Sequence, residues 1–559
     1  MESTFMPTTS FQVTTEAAWS NESLLWILIT GFIIAFVLAF AVGANDVANS
    51  FGTAVGAKVL TLKQACVLAT IFETAGAVLL GAKVGETIRK GIIDVTVYDD
   101  VTNGVTILML GELSAMFGSA VWQLVATRFR LPVSGTHSIV GSCIGFSLVA
   151  VGSTGVNWPK LGLIVASWFI SPVLSGGLTV LLFLFVNYTI LAKENPLKNG
   201  LLLLPFFYAI TIGINTFSIV YSGAPLLGLD HLPVWASVLI SLGFALLTGV
   251  LVVLLAVPRI RSRAKTALTE YEKSEDSVRL NEKLDNRFDD SGYQTPNDKN
   301  QNTPESSSLI EKVCTLPEET EFRLQLDSNG SMFSRGSQPG MSGTECTKRP
   351  NGPEAGNVPN TEIWTNSEAN NNTNKDVEIE STEENEVDDG PAVRELFSSL
   401  QVLTACFASF AHGGNDVSNA IGPLIALWIV FWSGEVVQKA FTPWYLLMYG
   451  GFGICIGLWL LGRRVIETIG SNLTKVTPSR GFCIELMTAL TVLVASNVGL
   501  PVSTTHCKVG SVVSIGWFRS RSAVDWSLVG NIAVAWFVTV PVSGLLSAGV
   551  MWVLMQVAL

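Results

Sequence analysis

Two stretches of this chain put a carboxylate and two amides where hydrocarbon should be. The first is Gly43-Ala44-Asn45-Asp46-Val47-Ala48-Asn49-Ser50-Phe51-Gly52 and the second is Gly413-Gly414-Asn415-Asp416-Val417-Ser418-Asn419-Ala420-Ile421-Gly422. Both lie inside apolar runs long enough to cross a bilayer, where one ionisable residue costs about 2.5–3.5 kcal/mol even on a lenient insertion scale. Asn45, Asp46 and Asn49, like Asn415, Asp416 and Asn419, fall at i, i+1 and i+4, and residues i and i+4 share one helix face. Carboxylate and amide oxygens, with carbonyls freed where glycine lets the backbone leave the helix, are what a hard cation such as sodium takes as ligands. Polar glue between packed helices is the competing use of the asparagines. Doubling of the motif favours a duplicated cation site.

A second matched pair suits an anion. Leu131-Pro132-Val133-Ser134-Gly135-Thr136-His137 is echoed by Leu500-Pro501-Val502-Ser503-Thr504-Thr505-His506. A proline belongs in a first helical turn, where its missing N–H is no loss. Hydroxyls and unbonded amides of that turn then point at an anion, and the helix dipole assists. We expect Ser134, Gly135 and Thr136 to face Ser503, Thr504 and Thr505 across one oxyanion, with no arginine fork placed to oppose its release. The alternative is a pair of proline kinks whose hydroxyls satisfy freed carbonyls. His137 and His506 flank the turns as hydrogen-bond donors, pH sensors or structural histidines.

Glu73, Glu112 and Glu485 also lie in apolar runs. Together with the two aspartates they would cost on the order of 10 kcal/mol or more uncompensated, so cations or protons must balance them. Glu112 and Glu485 are mates in the repeat, whereas Glu73 is matched by the apolar region around Ile454. His412 abuts the second aspartate motif where the first has Ala41 or Val42, and reads as structural or tuning.

These residues need a membrane scaffold to position them. The 559 residues are 49% hydrophobic and only 14% charged, where a soluble protein carries about 25% charged residues. Apolar runs of about 20 residues recur, the signal of spanning helices rather than of a β-barrel. The net charge of −11 resides mostly in one central hydrophilic segment, and argues against nucleic-acid binding. No Walker-type loop is present, so ATP does not drive the protein. We read it as a non-enzyme with no cofactor. The eight cysteines show no CxxC pairing and read as small packing residues.

Residues 1–23 are polar, lack a basic signal-peptide region and are expected outside, with Asn21-Glu22-Ser23 as a glycosylation triplet. Spans are expected near 24–52, 64–82, 106–127, 131–152, 161–188, 201–221 and 233–257, then near 396–432, 443–462, 481–500, 501–517 and 527–556. Between them, 258–395 is too polar to fold alone and is expected as a disordered cytoplasmic loop. Arg and Lys at the span ends favour both termini outside, with Lys83, Arg89 and Lys90 as the exception. Trp26, Trp444, Trp526 and Trp552 read as interfacial anchors.

The repeat continues through Gly81–Ile88 and Gly462–Ile469, Glu112-Leu113 and Glu485-Leu486, and Trp168-Phe169 with Ser175-Gly176 against Trp536-Phe537 with Ser543-Gly544. Spans one to five, within 24–190, therefore return as spans eight to twelve, within 396–559, around two intervening spans in 191–257. An odd number of crossings between equivalents makes the copies inverted. The fold class is thus all-α and polytopic, about 12 transmembrane helices in two inverted five-span repeats with discontinuous helices, the plan of secondary transporters.

GANDVANSFGT with GGNDVSNAIGP, PVSGTH with PVSTTH, and the long central loop together resemble the PiT family of inorganic phosphate transporters, particularly vertebrate sodium–phosphate symporters that some retroviruses use as receptors. The resemblance implies sodium-driven uptake of inorganic phosphate across the plasma membrane, with a second copy of the chain and a retroviral envelope protein as partners. It makes the oxyanion of the hydroxyl turns phosphate. A departure is Tyr98-Asp99-Asp100-Val101-Thr102, which lacks the glycosylation triplet usual in the first outer loop. Two other classes fit the residues: a proton-coupled carrier of phosphate or sulfate, and a non-transporting receptor or scaffold whose loop recruits partners. If the central loop is accessory, deleting 258–395 leaves phosphate uptake by surface-expressed protein intact, whereas the scaffold reading has no uptake to preserve.

Overall fold

A computed structural model describes residues 22–46, 48–222, 229, 232–290, 389–436, 442–468, 470 and 473–559. Asn21, Cys314, Cys346 and most of the central loop lie outside the described residues. Contacts divide the chain into one unit of Met1–Asn281 with Val387–Leu559 and a second of Glu282–Glu386. Of the second unit, only residues 282–290 are described, as helix.

The elements are helices. In chain order they are α1 (Leu25–Asp46), α2 (Ala48–Gly56), α3 (Leu62–Gly91), α4 (Gly104–Arg128), α5 (Gly135–Ala150), α6 (Trp158–Val186), α7 (Pro196–Ser222), α8 (Val234–Leu251) and α9 (Val257–Asp290). After the loop come α10 (Pro391–Ser433), α11 (Trp444–Leu461), α12 (Arg463–Glu467), α13 (Pro478–Asn497), α14 (Thr504–Arg519) and α15 (Trp526–Ala558). Local chemistry sets several starts. Thr61 and Gln64 form a capping box on α3, while Asn157 and Asp525 cap α6 and α15 through their side chains. Pro391 and Pro478 sit in the first turns of α10 and α13.

Among the described residues, ten helical segments are long and apolar enough to cross a membrane. Two of the twelve expected spans are not among them. Residues 131–152 and 501–517 form α5 and α14, helices of 16 residues each. Both begin only after an extended proline turn, and their first residues are buried inside the protein. A second correction concerns 258–395, expected as a loop throughout. Its first part continues as α9 to Asp290, because a run rich in Ala, Glu, Lys and Arg has high helix propensity even with nothing to bury. A third concerns where helices are interrupted. α10 runs unbroken through Asn415, Asp416 and Asn419, so the second aspartate motif does not unwind. Among the described residues, the two Leu-Pro-Val-Ser turns are discontinuities near the site.

Packing comes in matched pairs. α1 packs on α11 as α3 packs on α10; α5 packs on α15 as α14 packs on α6; α1 packs on α4 as α10 packs on α13. Glycine makes the first of these contacts backbone-close. A methyl on Gly43 would strike the Ile454 carbonyl, and one on Gly413 the Glu73 carbonyl; likewise Gly457 meets Phe40 and Gly76 meets Phe410. Residues that the sequence makes equivalent thus make equivalent contacts. Outward faces are apolar, with Leu202 79%, Val173 75% and Leu246 71% exposed, as lipid requires. The four expected anchor tryptophans are exposed as well. The six described cysteines are free and buried.

The close crossings give a stability test. Gly457→Ala and Gly76→Ala should each destabilise the protein by about 1–3 kcal/mol through overpacking, read as a lower melting temperature in detergent. Gly177→Ala, with open space around it, should not lower it.

Candidate functional site

The two proline turns and the two aspartate motifs meet in one buried cluster. Thr136 Oγ1 donates to the Val502 carbonyl at 3.1 Å, and Thr505 Oγ1 lies 3.1 Å from the Val133 carbonyl. Each turn therefore reaches across to the other. Asn49 Nδ2 donates to Thr505 Oγ1 and Asn419 Nδ2 to Thr136 Oγ1, both at 2.9 Å. Ser134 and Ser503 cap α5 and α14 by accepting from the His137 and His506 amides, both at 3.2 Å. A serine hydroxyl has one proton as well as lone pairs, so each cap retains a proton to donate elsewhere.

The aspartates are held differently in the two halves. Asp46 accepts from Thr505 Oγ1 at 3.2 Å and from the backbone amide of Gly135. A Cβ at position 135 would sit 2.7 Å from Asp46 Oδ2, so glycine there lets the carboxylate reach the start of α5. The positive end of that helix, expected to face an external anion, serves Asp46. In the other half Thr504 occupies the position of Gly135, and its hydroxyl donates to Asp416 Oδ1 at 3.3 Å.

Asn45 is committed to the scaffold. Its Nδ2 donates to Thr127 Oγ1 at 3.0 Å and to the Leu131 carbonyl at 2.9 Å, while its Oδ1 accepts from the Val133 amide at 3.1 Å. It ties down the first turn. Asn415 donates to Asp416 Oδ1 and to the Val502 carbonyl, but its own Oδ1 accepts nothing.

The unpaired atoms indicate what the cluster lacks. Asn49 Oδ1, Asn415 Oδ1, Asn419 Oδ1, Asp416 Oδ2 and Glu73 Oε2 are buried without a hydrogen-bond partner. All five are acceptor oxygens. Native structures leave few buried polar atoms unpaired, and a group of oxygens short of donors is the donor set of a hard cation. Hydroxyls and amides are the partners that the structure gives Asp46, Asp416 and Glu73. None of these neutralises a charge.

The other glutamates are served by cations of the chain itself. Glu485 accepts from Thr53 Oγ1 at 2.6 Å, Thr404 Oγ1 at 3.0 Å and Gln401 Nε2 at 3.4 Å. Lys508, fully buried, donates from Nζ to the same Thr53 hydroxyl at 3.0 Å. Thr53 thus relays between ammonium and carboxylate. The charge acting on buried Glu112 is the Arg89 guanidinium, itself 2% exposed, so Arg89 is an interior group rather than the loop charge it resembled. Glu73 has no such partner: Ser50 and Ser409 donate to its Oε1 at 2.9 and 3.1 Å. With the Ser50 proton on Glu73, Nδ1 of His412, 3.1 Å from Ser50 Oγ, is the donor there.

The two turn histidines make their contacts elsewhere. His137 stacks on Trp168 and His506 on Trp536, each with ring centroids 3.7 Å apart, and the two imidazoles lie 4.4 Å from each other. The sequence motifs did not include Lys508, Ser409, Gln401 or Thr404, and they gave Thr53 and the Trp168–Trp536 pair no role. Lys508 carried a usable signal, a lone cation in an apolar helix, but its counterpart in the first copy is Ile139 and the repeat hid it.

A duplicated hydroxyl turn crossed against a duplicated Asp–Asn motif is a transport-protein arrangement, and the comparisons name the kind. The model of the phosphate transporter family matches residues 42–547. The chain belongs to that family. Similar proteins include sodium-dependent phosphate transporter 1-B of Danio rerio, 46% identical over 94% of this chain and 95% of its own length. The sodium-dependent phosphate transporter 1 of Mus musculus is 44% identical with both chains fully covered. The sodium-dependent phosphate transporter 2 of Xenopus tropicalis is 46% identical over 95% of this chain and 98% of its own. A solved structure described as the sodium-dependent phosphate transporter superposes with a TM-score of 0.67 at 32% identity, covering 95% of this chain and 99% of that one. This phosphate transporter family member is a multi-pass membrane protein of the same fold.

The Lys508 relay is testable. Lys508→Met leaves Glu485 as a buried carboxylate without its cation, a loss of about 3–5 kcal/mol when one partner of a buried pair is removed. Protein stability in detergent should fall accordingly. Lys508→Met combined with Glu485→Gln should recover most of that loss.

Proposed function

We propose that this chain carries inorganic phosphate across the plasma membrane together with sodium, by alternating access. The observation that carries the reading is the buried cluster in which crossed Ser and Thr hydroxyls adjoin five acceptor oxygens without donors. Family membership and relatives named as sodium-dependent phosphate transporters support it.

Sodium ions are held among Asp46, Asn49, Asn415, Asp416 and Asn419, with Asn45 positioning the first turn and Glu73 as the coupling carboxylate. Glu112 and Glu485 are steadied by Arg89 and Lys508. Phosphate takes the hydroxyls of Ser134, Thr136, Ser503, Thr504 and Thr505, while His137 and His506 support the turns from behind. Coupling is electrostatic. Without sodium the carboxylates repel an anion; with sodium they do not, and each ion then favours the other's binding by the same factor. The two halves, 24–190 and 396–559, act as repeated units that rock about this cluster. The working form is a homodimer. No cofactor takes part.

Radiolabelled phosphate flux into proteoliposomes tests the whole reading: a sodium gradient should drive uptake and choline should not. Uptake undiminished in choline but driven by a proton gradient would replace sodium by protons. Asp46→Asn and Asp416→Asn should each abolish sodium-driven uptake in correctly folded protein. Ser134→Ala combined with Ser503→Ala should raise the phosphate KM on the order of tenfold or more, since a hydrogen bond to a charged group contributes about 1.5–3 kcal/mol.

A further inference from the structure

The two proline turns are equivalent in sequence but not in the structure. On the first turn, Trp536 Nε1 donates to the Pro132 carbonyl at 3.2 Å and the Val133 amide donates to Asn45 Oδ1 at 3.1 Å. Alongside, His506 Nδ1 lies 3.0 Å from the Trp168 carbonyl. The repeat predicts three matching bonds on the other side, from Trp168 to Pro501, from Val502 to Asn415, and between His137 and the Trp536 carbonyl. None forms. Trp168 Nε1, Asn415 Oδ1 and His137 Nδ1 are each buried without a hydrogen-bond partner. Ring stacking, by contrast, is the same in both halves, 3.7 Å for each His–Trp pair.

The undocked turn also borders a cavity. A cavity of about 610 Å³ is lined by Glu86, Thr87, Lys160, Ile164, Leu500 and Pro501 among others. Ile164 lies one helical turn before Trp168 on α6. The missing Trp168–Pro501 contact and the cavity thus fall at one place. Meanwhile Trp168, His137, His506 and Trp536 form a continuous column of rings, which puts the two turns' supports in direct contact.

We propose that Trp168 and Trp536 are positioning residues of the transport cycle, each indole N–H docking the opposite half's proline turn in one of two alternating states. The structure is the state with the first turn docked and the second open to the cavity. In the other state Trp168 donates to the Pro501 carbonyl and His137 Nδ1 engages the Trp536 carbonyl, closing the cavity, while the Trp536–Pro132 bond parts. This inference rests on the transport reading above, but its test does not require flux.

Leu500→Cys places a thiol in the cavity, and its reaction rate with a thiol reagent in detergent reads how often the cavity is open, the unsubstituted chain serving as blank. Trp→Phe keeps the ring and removes only the N–H. Trp536→Phe should slow the reaction and Trp168→Phe should speed it, each about two- to tenfold, the factor that one net hydrogen bond contributes. The double variant should return near the starting rate. Should Trp536→Phe fail to fold, Asn45→Ala undocks the same turn and must also slow the reaction. Equal rates in all backgrounds, or shifts in the same direction, overturn the proposal, and they leave the transport reading standing if the parent chain still shows sodium-driven flux. Opposed shifts in a chain without such flux keep the docking switch and remove the transport reading.

Discussion

Uncompensated negative charge in a buried place is the constraint around which this molecule is built. Asp46, Asp416, Glu73, Glu112 and Glu485 are all at most 2% exposed. Such groups persist inside a membrane protein only when something positive, or a proton, offsets them. The chain meets the demand in two ways. Away from the crossed turns it supplies its own cations, Lys508 through Thr53 for Glu485 and Arg89 for Glu112. At the turns it supplies hydroxyls, amides and oxygens short of donors. A tethered ammonium cannot leave, whereas a bound ion can, and a carrier needs the second kind of compensation where its cargo sits.

Backbone-close packing makes that arrangement possible. α10 and α3, like α1 and α11, approach until glycine is the only residue that fits at the crossing. The carbonyls and side chains flanking those glycines are then held at fixed separations. Glu73 is delivered to Ser50 and Ser409 this way, because its own backbone is what Gly413 accommodates. α5 and α14 do the complementary job. As half-length helices that start inside the protein, they end their extended turns against each other rather than at a lipid interface. Helix starts, with their unpaired amides and capping serines, thereby become interior groups.

Near-symmetry is also what makes the differences informative. Gly135 lets Asp46 touch the start of α5, where Thr504 instead offers Asp416 a hydroxyl. Glu73 stands opposite Ile454, and Lys508 stands where the first copy has Ile139. A protein with two strictly identical halves would have no reason to prefer one state. Here the halves are alike in their packing and unlike in the groups that surround their carboxylates.

The residue types and their doubling determined a great deal on their own. Carboxylates in apolar runs, the paired Asp–Asn and Pro–Ser–Thr motifs and their order were enough to expect helical spans, a crossed site and the family, because burial of charge and helix periodicity are local, composition-driven effects. Only tertiary structure decided which partner each group found. It assigned Asn45 to hold a turn, turned α5 and α14 into short interior helices, kept α10 unbroken through Asp416, and brought Lys508 to Glu485 by way of Thr53, a residue far away in sequence. Those outcomes depend on contacts between segments from 82 to 455 residues apart, whose geometry is set by how closely helices pack, and no spacing within a single segment encodes that distance.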